Sequence, residues 1–256
     1  MTAVPIRARS TSAQEEAEWK LRTDLAAVFR IHARLDWNEG LGNHHSVMLP
    51  TRPGETPLFL INALGLLFQE ITASNLIVCD LDGNVVRGTG ELRKVAFCIH
   101  ARIHLANPKA VALLHVHPQY LTALSMIEDG RLELSHFNNL VLNDRIAYDD
   151  ETNDAITPEE GDRYARVLGD KTILLMPHHG VTVIGPTIED AFDELHGAER
   201  TAMYQVTAMQ TGRKLRLFPD HMRRRFAGPI GERWDSRLHL DAWRRILDKE
   251  EPDYAS

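Results

Sequence analysis

Residues 111–117 read Val-Ala-Leu-Leu-His-Val-His, an apolar run that ends in two histidines, His115 and His117, with Pro118 directly after them. The run has the length of a strand, and its lack of polar alternation marks a strand covered on both faces, so a central position in a sheet is expected. Residues two apart on a strand share a face. His115 and His117 therefore present two imidazoles side by side at the end of a buried strand, a set that suits Zn, Mn, Fe or Co. Taken alone, the pair fits equally well two structural histidines bonded to backbone carbonyls. A second segment bears on that choice. TILLM (172–176) and VTVIG (181–185) are two more apolar strands, joined by Pro177-His178-His179-Gly180. A side chain on so tight a turn can reach over a sheet edge. A third imidazole from it would complete the usual minimum for a divalent ion that keeps open positions.

Outward from this centre, strands and helices alternate. From Glu15, the positions Trp19, Leu21, Leu25, Val28, Phe29 and Leu35 keep a helical rhythm, predicting a first helix to about residue 35. WNEGLGNHHS (37–46) breaks it with two glycines and polar residues, and short strands are expected at 46–49, 58–61 and 76–79. The turn Leu81-Asp82-Gly83-Asn84 makes 76–87 a hairpin. Leu92, Val95, Ile99, Ile103 and Leu105 form one face of a second helix that ends before Pro108. A short helix is expected at 121–127. Thr157-Pro158-Glu159-Glu160 combines an N-cap, a first-turn proline and a glutamate three residues on. Thr187 caps a long helix over 188–211 that stops at Gly212. A last helical stretch falls near 239–249, and Arg223, Arg224 and Arg225 read as a solvated basic face. Three regions follow: a flexible tail (1–14), one α/β domain (15–215) and a helical C-terminal extension (216–256).

Composition narrows the classes. The 256 residues carry 29 basic and 36 acidic side chains for a net charge of -7, with 43% hydrophobic and 25% charged residues. These are globular-protein values, and a mildly acidic chain lacks the clustered Lys and Arg of a nucleic-acid binder. Cys79 and Cys98 sit in apolar contexts and read as buried free thiols. No apolar run approaches the ~20 residues of a membrane span, and the first residues have no signal-peptide core. A cytoplasmic protein acting on a small molecule, with no membrane or nucleic-acid partner, is the expectation. Walker, G-x-G-x-x-G and G-x-S-x-G motifs are absent from the sequence. Histidine, at 13 copies, is the unusual entry.

From about residue 24 to 211 the sequence resembles the class II aldolase/adducin family. GNHHS (42–46), LFLINALGLLFQEITASNLIVCDLDGNVV (58–86), AFCIHARIHLANPKAVALLHVHPQYLTAL (96–124), RIAYDD (145–150), LGDKTILLMPHHGVTVIG (168–185) and TIEDAFDELHGAER (187–200) carry the resemblance. H-x-H at 115–117 followed by H-G at 179–180 is its discriminating part. The resemblance implies an α/β fold, a three-layer α/β/α sandwich with a central mixed, mostly antiparallel sheet. It also implies a homotetramer with sites at subunit interfaces, and one divalent metal ion per chain on His115, His117 and His179. His179 takes that role because the family's histidine stands directly before glycine, here Gly180. His178 is then a neighbour.

The departures from the family shape the expected function. In its sugar-phosphate aldolases a Ser-Ser-Glu run stands upstream of the position matched by His100. The serines bind phosphate, and the glutamate is the acid/base and an extra metal ligand. In register these positions are Lys94, Val95 and Ala96, and the family's phosphate-binding Gly-Asn becomes Asn43-His44. Without those convergent donors a phosphorylated substrate is disfavoured. Glu39, His44, Tyr120 and His136 are the candidates for the catalytic work, with Glu91 and His45 also considered. The expectation is a metal-dependent lyase that cleaves a C–C bond, by retro-aldol reaction or decarboxylation, in a non-phosphorylated oxo/hydroxy-carboxylic or aromatic acid. Zinc leads among the metals, with Mn, Fe and Co as alternatives. A non-haem iron oxygenase using the same three histidines, and a non-catalytic adducin-like binding protein, are the alternative readings. His100 and His104, one helical turn apart, lack a zincin glutamate and are expected beside the core. His32, His196, His221 and His239 are expected at the surface or an interface.

Overall fold

The computed structural model describes residues 13–152, 157–226 and 235–256. Its strands are β1 (His44–Met48), β2 (Leu58–Ile61), β3 (Ile77–Asp80), β4 (Val85–Arg87), β5 (Ala112–Val116), β6 (Ile146–Tyr148), β7 (Ile173–Met176) and β8 (Gly180–Gly185). They form one sheet in the order β4-β3-β2-β1-β5-β8-β7-β6. Every pairing is antiparallel except β6 with β7. The sheet is thus mixed and mostly antiparallel, with the histidine-bearing β5 in its interior.

The helices are α1 (Ala13–Arg34), α2 (Lys94–Ala106), α3 (Gln119–Ser125), α4 (Pro158–Leu168), α5 (Ile188–Met209), α6 (Asp220–Phe226) and α7 (Ser236–Glu250). Local chemistry sets their ends. Thr157 accepts from the backbone N–H of Glu160 at 3.3 Å, with Pro158 in the first turn of α4, and Thr187 accepts from Asp190 N–H at 3.1 Å to start α5. Glu15 and Glu16 in the first turn of α1 and Arg34 in its last complement the helix dipole.

Strand alternation divides the core into layers. Val47 of β1, Ala112, Leu114 and Val116 of β5, and Val181 and Val183 of β8 pack with Phe29 of α1 and Phe192 of α5 on one face. On the other face, Leu113, Leu174, Met176 and Ile184 pack against Ile99 and Ile103 of α2 and Tyr164 and Leu168 of α4. Each fully buried Val, Leu, Ile, Phe or Met among them contributes about 1.5–3 kcal/mol. The result is helices, sheet, helices: an α/β/α sandwich.

Several elements depart from the expected bounds. Residues 1–12 of the expected tail lie outside the described residues, and α1 already includes Ala13. β1 starts at His44, two residues before the expected strand, because pairing with β2 and β5 captures polar residues that read as loop. His32, expected at the surface or an interface, is fully buried between α1 and β1, where its Nδ1 lies 2.8 Å from His45 Nε2. The C-terminal segment returns to the core. Arg30 meets Asp253 at 2.7 Å, Arg34 meets Glu250 at 2.7 Å, and Tyr254 is buried.

At Gly161, α4 packs tightly on α2: a Cβ there would lie 1.9 Å from the Cys98 carbonyl oxygen. Gly161→Ala is expected to lower stability by about 1–3 kcal/mol through overpacking. Gly197→Ala, mid-α5 with nothing within 4 Å of the new methyl, should instead raise it by up to about 1 kcal/mol. Urea unfolding of the two variants checks the contrast.

Candidate metal centre

Sheet register assembles the site. In the β1–β5 ladder His44 stands opposite His115, and in the β5–β8 ladder His115 stands opposite Thr182. These three side chains form a row on the α2 face of the sheet. The His115 ring lies 3.1 Å from the Val181 carbonyl and 3.1 Å from Thr182 Oγ1 through its Nδ1. A carbonyl can only accept, so Nδ1 carries the proton and donates, and Nε2 keeps a bare lone pair.

His117 follows just past β5, held by its backbone N–H donating to the Trp37 carbonyl at 3.1 Å. His179 comes from the β7–β8 turn, where His178 takes a left-handed backbone (φ 55°) and the His179 N–H bonds to the Met176 carbonyl. The turn can approach only because residue 180 is glycine. A Cβ there would stand 2.5 Å from Cδ2 of His117 and 2.6 Å from the Val116 carbonyl oxygen. Ring centroids of His115, His117 and His179 are 4.8–5.1 Å apart. One ring nitrogen from each lies within 4.8 Å of the others, the one such histidine or carboxylate group of metal-binding geometry among the described residues.

The donor set fits a divalent ion. Burial lowers the pKa of all three imidazoles: His115 falls well below the usual range, His117 to about 4, and His179 in the same direction. Neutral rings are the ligating form. His117 Nε2 is buried with no hydrogen-bond partner, a costly state for a buried acceptor that a bound ion would relieve. The three rings open on a cavity of about 350 Å³, whose wall includes His44, Arg93, Val95, Tyr164 and His178. That volume suits a small metabolite.

The sequence profile described as Class II Aldolase and Adducin N-terminal domain matches residues 23–206. The chain belongs to this family. A Caulobacter vibrioides protein provisionally named a class 2 aldolase is 35% identical over 94% of this chain and 93% of its own length. Mouse alpha-adducin is 30% identical over 80% of this chain, which spans 28% of that protein. The crystal structure of an aldolase II superfamily protein from Pseudomonas syringae superposes with a TM-score of 0.87 at 32% identity, covering 96% of this chain and 98% of that one.

Within this aldolase/adducin domain the catalytic candidates scatter. His44 lies on the cavity wall, 2% exposed, its ring stacked on His115 at 4.8 Å. Glu39 is exposed outside the cavity, with Oε2 4.0 Å from His117 Nδ1, too long for a hydrogen bond. Tyr120 and His136 are away from the cavity wall. Tyr120 lies in the first turn of α3 with its N–H bonded to Glu199 at 2.8 Å, and the His136 ring packs at a tilt against Tyr204 of α5, centroids 4.7 Å apart. Glu91 is exposed, and His45 points to the opposite face, against Phe29. Lys94 is exposed, Ala96 buried among apolar neighbours, and neither supplies the carboxylate or hydroxyls of the sugar-phosphate pattern. Arg93 escaped sequence reading. It reaches the cavity because the loop before β1 folds back to it, the Leu41 carbonyl accepting from Nη1 at 2.8 Å. No helix among the described residues is long and apolar enough to cross a membrane.

Buried neutral histidines give the aldolase/adducin domain an acid limit. Burial pushes His104 down to about 4 and His32 to about 3, whereas an unfolded imidazole titrates near 6.5. The unfolded chain binds the extra protons, so this stability is full above about pH 6.5 and is lost as pH falls towards 4. Urea midpoints at pH 7.5, 6.0 and 5.0 should fall steadily, and a flat series would contradict the burial of neutral rings. Thr182→Val removes one of the two acceptors that orient His115. It should weaken metal binding roughly tenfold, read by competition with a chelator.

Proposed function

We propose that this chain is a metal-dependent carbon–carbon lyase acting on a non-phosphorylated oxo- or hydroxy-carboxylic acid or aromatic acid. Its three histidines, His115, His117 and His179, would hold one divalent ion, zinc first among the candidates. The observation that carries this reading is the convergence of three imidazoles within 4.8 Å on a cavity wall, in a family that includes class II aldolases. An ion bound there supplies Lewis acidity towards a substrate carbonyl oxygen.

The chain's own residues account for the rest. The Arg93 guanidinium, steadied by the Leu41 carbonyl, keeps donors free for a substrate carboxylate, for which its planar fork is well matched. Val95, on the wall where the sugar-phosphate enzymes carry serine, gives that side of the cavity an apolar surface suited to an uncharged or aromatic group. His44 is the group placed to exchange a hydrogen with substrate: its Nε2 is buried at the wall with no partner. Retro-aldol cleavage and decarboxylation both fit these roles, and decarboxylation asks for less proton movement from a site without a carboxylate at position 96. Family membership also supports a homotetramer with sites at subunit interfaces. The two buried free thiols, Cys79 and Cys98, agree with a cytoplasmic setting. The 30% identity to mouse alpha-adducin favours one further reading, a binding protein on the same fold.

Metal content decides among these readings. Elemental mass spectrometry of protein purified without added metal should find about one equivalent of zinc, manganese or cobalt per chain, lost in His117→Ala. Iron in its place would move an oxygenase to the front, tested by oxygen uptake. No metal, with none taken up on titration, would leave the adducin-like binding role.

A further inference from the structure

A chain of buried polar groups runs from His44 away from the cavity, and neither the three-histidine site nor the reaction class accounts for it. His44 and Ser46 lie two apart on β1, roughly 6.6 Å along a strand, and His100 and His104 lie four apart on α2, roughly 6 Å along a helix. The two repeats match, so the pairs interlock. His44 Nδ1 is 2.7 Å from His100 Nε2, His100 Nδ1 bonds to Ser46 Oγ, and Ser46 Oγ is 2.7 Å from His104 Nε2. His104 Nδ1 closes the chain on the Ala110 carbonyl at 2.5 Å. All four side chains are at least nine-tenths buried.

The carbonyl at the far end dictates the direction of every bond. Ala110 can only accept, so His104 Nδ1 carries the proton and its Nε2 accepts. Ser46 then donates to His104 and accepts from His100 Nδ1–H. His100 Nε2 accepts from His44 Nδ1–H, and His44 Nε2 is left a bare lone pair. The opposite polarity would require a doubly protonated His104, which its burial opposes.

We infer that Ser46, His100 and His104 are positioning residues that lock His44 into its Nδ1-protonated tautomer, so that Nε2 accepts a hydrogen bond from a hydroxyl of the bound substrate. This rests on the lyase reading of the cavity and narrows its substrate to a hydroxy-carbonyl or hydroxy-acid over a plain oxo-acid. His44 Nε2 is the one buried ring nitrogen on the cavity wall, besides His117 Nε2, that has no partner among the described residues. The ligand set accounts for His117 Nε2, and a substrate hydroxyl accounts for His44 Nε2.

Neutron diffraction from perdeuterated crystals of the zinc-loaded full chain reads the chain directly. Deuterium is expected on Nδ1 of His44, His100 and His104 and absent from Nε2 of His44. Deuterium on His44 Nε2, or that nitrogen bound to zinc, would overturn the inference. If zinc is missing from the three imidazoles the lyase reading fails, while the deuterium position on His44 still decides the chain. Ser46→Ala, which touches none of the three ligands, tests the consequence with lactate and 2-methoxypropionate as probes by calorimetry. The wild type should prefer lactate about tenfold, the worth of one hydrogen bond, with the preference collapsing in the variant at unchanged zinc content. Undiminished preference in Ser46→Ala would count against the positioning role. Should that variant fail to fold, the wild-type neutron result stands alone.

Discussion

The antiparallel register of β1, β5 and β8 is the constraint on which the rest depends. It places His44, His115 and Thr182 in one row across the sheet, on the face that α2 and α4 cover. A row of imidazoles and hydroxyls beneath helices would be expensive if left to itself, since each unpaired polar group there costs about 1–3 kcal/mol. The row is tolerable because imidazole is both a donor and an acceptor, so histidines can satisfy one another. His115 spends its donor on β8 backbone, and His44 spends its donor on α2. What remains unspent is acceptor capacity, and it collects at the cavity. Lone pairs pointing at a common space are what a cation needs.

Burial sets the protonation of this region as firmly as bonding does. Desolvation is the leading cause of the lowered pKa of His44, His100 and His115, and neighbouring histidines push in the same direction. A cluster of this density holds together only when uncharged. Arg93 and Glu151, one basic and one acidic, are the charged side chains on the cavity wall among the described residues, and Ala96 leaves position 96 without a carboxylate.

Much of this was legible in the sequence, for reasons particular to each element. His115 and His117 could be read as neighbours because a strand repeats every two residues, and Pro177 to Gly180 as a turn able to bring a third imidazole, with His179 singled out only by the resemblance to a family whose histidine stands directly before glycine. The capped helices α4 and α5 announce themselves through Thr157 and Thr187. Less was visible where long-range pairing overrides local composition. His44 and His45 follow a glycine-rich stretch and read as loop, yet pairing on both sides makes them strand. His32 sits on a helix whose residues from Arg22 to His32 are buried, so its surroundings come from β1 and α5 and not from α1's own pattern. Arg93 reaches the cavity through a contact with Leu41 some fifty positions away, and no local signal encodes that. The link between His44 and His100 spans a similar distance, and H-x-x-x-H on α2 taken alone suggested only a metal motif to set aside.

Adjacent residues of β1 serve opposite sides of the sheet: His44 and Ser46 face α2, while His45 and Val47 face α1. His45 sits in its own enclosure with His32, Phe29 and Phe68, and its Nδ1 bonds to the carbonyl of His44. One peptide unit thus ties together two histidine systems that never share a solvent. A single inserted or deleted residue in this strand would turn every side chain to the wrong layer at once. Divergence along this stretch is therefore open to exchange of one side chain for another but closed to changes of length, and drift in length falls to the stretches between strands, such as 49–57.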